Sequence, residues 1–127
     1  MSDSERYERG AKAVQDVYAG VVELSPPGTS DFMDLMVKGV FSDVWTRDVL
    51  PIRDRRLLVM GVIAALGETS VWQVQIRAAL ENGELTKEQA RECVIQLAQY
   101  AGYPRIGGMM GATEAAIAEY EAAHADD

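Results

Sequence analysis

Residues 71–104, VWQVQIRAALENGELTKEQARECVIQLAQYAGYP, read as two helices, each closed by a glycine. Val71 to Asn82 carries apolar residues at helical spacing and stops at Gly83. The next helix opens at Thr86 with Gln89 three residues on, a pairing in which side chain and backbone cap each other. Its stripe of Ala90, Cys93, Val94, Leu97, Ala98 and Ala101 repeats at three and four residues, the period of a helix with one buried face. Gly102 ends that helix, and Pro104 suits the first turn of another, where a missing N–H costs nothing. No segment alternates with the period of two that a strand requires.

Helical spacing continues on both sides of this stretch. The fourth helix is expected to be capped by Ser70 with Gln73 at the capping-box position. Upstream, a first helix opens at Ser2 with Glu5 in a capping-box relation, carries Tyr7, Ala11, Val14, Tyr18 and Val21, and is expected to run until SPPG at Ser25 to Gly28. A second starts at Ser30 or Asp31 with Phe32, Met36 and Val40 down one side. Phe41 to Pro51, FSDVWTRDVLP, reads as loop with a helical turn. The third, from about Arg53 to Leu66, is apolar nearly all round from Leu57 onward, so it is expected to be surrounded by other helices or by neighbouring subunits. Downstream, the sixth carries Gly107, Gly111 and Ala115 at four-residue spacing, which suggests another backbone packed close by. The tail EAAHADD reads as frayed. The fold expected is all-α, six helices in a single domain of residues 1–127.

Composition excludes several functions. The chain has 127 residues, 12 Lys and Arg against 20 Asp and Glu, and a net charge of −8. That balance and the absence of a basic stripe argue against nucleic acid as a partner. The longest apolar run, LLVMGVIAALG, is too short to cross a bilayer, and the N-terminus has no signal-peptide core, so a soluble cytoplasmic protein without a membrane partner is expected. A lone cysteine, Cys93, excludes an internal disulfide and a thiolate-rich metal site, and a lone histidine, His124, removes the usual histidine metal sets. Neither a metal nor another cofactor is expected. Cys93 reads as an inert thiol on a buried stripe.

Four of the 12 basic residues, Arg47, Arg53, Arg55 and Arg56, fall within ten positions. They can hold a small anion, or they can pair with Asp48, Asp54 and other surface carboxylates. Trp45 and Trp72 can line a pocket, although core or interface is the commoner place for tryptophan in a small helical domain. Tyr100 and Tyr103, at a helix end, can donate a proton or simply cap a carbonyl.

The ordered motifs DVWTR (Asp43 to Arg47), RRLL (Arg55 to Leu58), RAALENG (Arg77 to Gly83) and QLAQYAGYP (Gln96 to Pro104) resemble the carboxymuconolactone decarboxylase family, most closely its γ-carboxymuconolactone decarboxylase branch. Phe41 to Pro104 carry the match. The resemblance implies an all-helical fold assembled as a homotrimer or homohexamer, with ligand pockets at subunit contacts, and a cofactor-free carbon–carbon lyase or isomerase acting on a small carboxylated lactone or aromatic-catabolism intermediate. In that branch a histidine stands eight residues before the helix-ending glycine, where this chain has Gln75. In the related AhpD-like branch, whose members partner a peroxidase, cysteines stand seven and four residues before that histidine. Here those positions are Glu68 and Val71, and Arg56 stands where that branch has a glutamate, so thiol peroxidase or reductase chemistry is excluded.

The resemblance places Gln75 at the catalytic position and Trp45 and Arg47 in substrate binding; expected proximity adds Tyr103 as a second catalytic group and Arg55 and Trp72 as further residues binding a small anionic substrate. A glutamine amide can donate or accept hydrogen bonds but cannot serve as the acid. Two functions therefore remain open: a lyase in which another group replaces the histidine, or a non-catalytic ligand-binding or scaffold member.

Overall fold

The computed structural model describes residues 1–127, and every regular element is a helix. In order they are α1 (Asp3–Tyr18), α2 (Asp31–Met36), a π-helix (Val37–Val44), α3 (Ile52–Leu66), α4 (Thr69–Glu81), α5 (Lys87–Ala101) and α6 (Tyr103–Ala123). None is long and apolar enough to cross a membrane. The chain condenses into two units, residues 1–55 and 56–127, with the first turn of α3 in one and the rest in the other.

In the first unit α1 packs on the π-helix. Contact is close because Gly10 has no side chain: a Cβ there would stand 1.9 Å from the carbonyl oxygen of Val37. Arg6 and Arg9 reach across to Asp43 at 2.6 and 2.8 Å. The hydrogen bond from Arg6 holds the Asp43 carboxyl below its usual range against the opposing effect of burial, and Arg9 adds to it. Phe41 lies between Tyr18 and Trp45, with ring centroids 5.9 and 6.0 Å away.

Three sequence expectations need correcting here. Helix α1 ends at Tyr18, before Val21, because Ala19 adopts a left-handed conformation with φ 51° and Gly20 follows at 81°. The stretch beginning at Phe41 does not open a loop, since α2 continues directly into i→i−5 pairing that closes with the Trp45 N–H on the Val40 carbonyl at 3.0 Å. This wider coil changes the phase of the side chains. Val37, Phe41 and Trp45 face the core, whereas Phe32 and Val40, expected with Met36 down one side of the helix, are exposed.

The core of the second unit is built from Met60, Ile63 and Ala64 of α3, Trp72 and Ile76 of α4, Val94 of α5, and Ile106 and Met109 of α6, with alanines between them. Cys93 packs half-buried at its edge. Gly67 and Gly83, at φ 75° and 68°, end α3 and α4. The capping box of Thr86 and Gln89 forms as expected. At α4 the expected box does not: the helix starts at Thr69 after Glu68, and the Gln73 amide donates to Glu119 on α6 instead.

Helix α3 is not surrounded by helices of its own chain. Leu58, Val62 and Leu66, one turn apart, keep 65, 61 and 64% of their surface exposed in the single chain. The close backbone approach expected along α6 is not made within the chain, since Gly107 and Gly111 face open space; the tight contact falls instead at Gly108, where a Cβ would lie 2.8 Å from Cγ2 of the Thr69 side chain. The tail is also more ordered than its composition suggests. Helix α6 runs to Ala123, and His124 bonds to Glu81 at 2.9 Å and Asp127 at 2.5 Å while its ring lies 4.4 Å from Tyr120.

Candidate functional site

Gln75 lies midway along α4, three residues after Trp72, on the face that α4 turns to the core. Only 2% of its surface is exposed. A buried amide needs partners, and Arg56 supplies one: its Nη1 donates to Gln75 Oε1 at 2.7 Å. Arginine only donates, so this bond fixes the amide orientation, with the oxygen toward Arg56 and the nitrogen directed elsewhere.

Arg56, on α3, is 1% exposed and is itself neutralised. Its Nε and Nη2 donate to the two carboxylate oxygens of Glu84 at 2.5 and 3.3 Å, a side-on fork, and Asn82 Nδ2 donates to the same carboxylate at 2.9 Å. The turn after α4 makes this possible. Gly83 adopts positive φ, and the Glu84 N–H donates back to the Ala79 carbonyl at 2.9 Å, which folds Glu84 over the end of the helix. No buried side-chain polar atom lacks a hydrogen-bond partner. The arrangement is a charge-neutral, fully bonded network, Gln75–Arg56–Glu84–Asn82, whose arginine presents fixed positive charge away from bulk water.

The other anticipated residues of this unit are placed differently. Trp72 is fully buried and its Nε1 donates to Thr113 Oγ1 at 2.8 Å, so it belongs to the core and not to an open binding wall. Tyr103 is 66% exposed at the start of α6, and its phenol oxygen accepts from Gln99 Nε2 at 2.7 Å rather than meeting Gln75.

In the first unit Trp45 and Arg47 do come together, on the wall of a cavity of about 500 Å³ that Asp48, Leu50 and Pro51 also line. Arg55 is not part of that wall. Its guanidinium donates to the carbonyls of Leu50 and Arg47 at 3.1 and 3.0 Å, which clamps the loop that carries Arg47. The arginine cluster thus divides into separate roles: Arg56 forms a buried ion pair, Arg55 a loop clamp, Arg53 a 3.9 Å contact with Asp54, and Arg47 a cavity wall.

Sequence reasoning missed Glu84 and Asn82 as partners in the Gln75 network. Their signal was the glycine between them, since a left-handed Gly83 returns the next residue toward the helix it ends.

Two comparisons with known proteins bear on this site. The model of the Carboxymuconolactone decarboxylase family matches residues 30–115, a span that holds Trp45, Arg47, Arg56, Gln75 and Glu84. Over 119 residues, 90% of this chain and 88% of the relative, the sequence is 28% identical to the 4-carboxymuconolactone decarboxylase of Acinetobacter baylyi.

Proposed function

The chain belongs to the carboxymuconolactone decarboxylase family, and from that premise we propose that it is a cofactor-free carbon–carbon lyase or isomerase acting on a small carboxylated lactone or related intermediate of aromatic catabolism in the cytoplasm. The observation that carries this reading is the Gln75–Arg56–Glu84 network at the position of the family's histidine. A buried ion pair gives little net stability over apolar residues of similar volume, so packing alone gives little reason to keep one there. Chemistry gives a better one. When a carboxylate leaves as CO₂, its bonding pair passes into the unsaturated ring, and negative charge develops on oxygen before carbon is protonated. Donors fixed beforehand in a water-poor site stabilise that charge without reorganising. In this reading Gln75, oriented by Arg56, is such a donor, and water supplies the proton that the amide cannot.

The working form we propose is a homotrimer or homohexamer, and the outward Leu58, Val62 and Leu66 stripe supports that assembly. A second reading, a ligand-binding or scaffold member without catalysis, is favoured by one feature: Gln75 is almost wholly covered and its oxygen is already engaged.

Turnover of γ-carboxymuconolactone by the wild type, Gln75→Leu and Gln75→His separates the two. The lyase reading expects turnover above a heat-killed control, its loss in Gln75→Leu, and a gain in Gln75→His of up to the roughly 10²–10⁴-fold that a general acid contributes. Silence of both the wild type and Gln75→His would favour the binding role.

A further inference from the structure

Among the arginines between residues 47 and 56, Arg47 is the one whose guanidinium meets no carboxylate or carbonyl of the chain. Its backbone N–H donates to Val44 and its carbonyl is gripped by Arg55, so the main chain is fixed while the charged end remains available. Arg47 lines the cavity of about 500 Å³ in residues 13–52. A cavity of this size suits a single-ring molecule.

The rest of the wall narrows the chemistry. Trp45 is 8% exposed and stacked on Phe41 with ring planes 8° apart, so it is a rigid flat surface, and Leu50, Pro51 and Ile52 extend the apolar lining. Two acids also line the cavity. Asp16 is paired with Lys12 at 2.9 Å, whereas Asp48 has no cationic partner. A planar guanidinium matches one carboxylate through two parallel hydrogen bonds. A second carboxylate on the ligand would meet Asp48, and like charges brought together across a contact are disfavoured.

We infer that this cavity binds a small monocarboxylate with a flat apolar body of about one ring, its carboxylate forked on Arg47 and its ring against Trp45, Leu50 and Pro51. The inference goes beyond the lyase reading and concerns binding alone, so turnover or its absence leaves it standing.

The test titrates the ¹⁵N-labelled full chain with benzoate, benzamide and phthalate, following the indole N–H signals of both tryptophans. Benzoate is expected to shift Trp45 saturably and leave Trp72, locked on Thr113, unmoved. Benzamide, which lacks the charge, should bind about tenfold more weakly or worse, and phthalate should bind more weakly than benzoate. Arg47→Gln should weaken benzoate by about tenfold, and well-dispersed indole signals from both Trp45 and Trp72 in the unliganded variant will show that each unit is folded. Asp48→Asn should narrow the gap between phthalate and benzoate. Equal binding of benzoate and benzamide, full retention of benzoate by Arg47→Gln, phthalate binding as tightly as benzoate, or no saturable Trp45 shift would each overturn the proposal.

Discussion

At the scale of single residues, the Arg56–Glu84 pair should carry a stability effect disproportionate to its two hydrogen bonds. Arg56 is covered by the fold, so removing its carboxylate partner leaves a buried charge uncompensated. Glu84→Ala is therefore expected to cost about 3–5 kcal/mol in urea unfolding. Adding Arg56→Met to that variant should recover much of the loss, since the stranded charge is then gone. If the two single losses simply add in the double variant, the pair is not coupled. How much of this was readable beforehand varies by residue. The position of Gln75 was readable by counting back from Gly83, and its inability to act as an acid follows from amide chemistry. Its partners were not readable, because Arg56 and Glu84 come from a different helix and from the turn beyond Gly83, and helical periodicity carries no information about which side chains meet between elements. Trp72 and Trp45 looked equivalent in sequence, and only packing separates a fully covered core indole from one at a cavity wall.

At the scale of elements, the glycines divide by what stands opposite them. Gly10→Ala would drive a Cβ into the Val37 backbone, which cannot rotate away as a side chain can, so a loss of about 3 kcal/mol and weakened pairing of α1 with the π-helix are expected. Gly107→Ala meets nothing within the chain and should raise stability by up to about 1 kcal/mol through helix propensity. Thermal unfolding of both variants side by side checks the contrast, and a destabilised Gly107→Ala would show that a neighbour fills that space after all. Local signals accounted for helices wherever the chain was left to local chemistry: the Thr86 and Gln89 box, the Gly67, Gly83 and Gly102 stops, and Pro104 were all readable. The reading failed where tertiary partners decide. Gln73 caps nothing because Glu119 on α6 takes its amide. The π-helix was missed because a template of 3.6 residues per turn cannot register i→i−5 pairing.

At the scale of the whole molecule, an acidic chain fastens its C-terminus through its one histidine. The hydrogen bond to Glu81, joined by that to Asp127, raises the His124 imidazole above its ordinary value. Burial pushes Glu81 up, but bonds from His124 and Arg77 outweigh it and leave the carboxyl lowered. A raised imidazole contributes stability that is complete below its ordinary value near 6.5 and lost as pH rises through its folded value, whereas a lowered carboxyl contributes above about 4.5 and loses it as pH falls through its own folded value. The C-terminal turn should therefore be most ordered between those limits. Heteronuclear NOEs for residues 120–127 are expected to fall on the alkaline side, and His124→Gln should flatten that limb; an unchanged profile in the variant would mean the imidazole does not govern it. The net charge was plain from composition, but the fastening was not, since an isolated histidine in an acidic tail looks the same whether it is docked or frayed. A last consequence belongs to the coil between Val37 and Val44. Removing one residue there would restore the narrower pitch and turn Trp45, with Arg47 behind it, away from the wall they share. Descendants of this sequence can therefore drift by substitution along that coil, but its length is a reading frame that a single insertion or deletion would break.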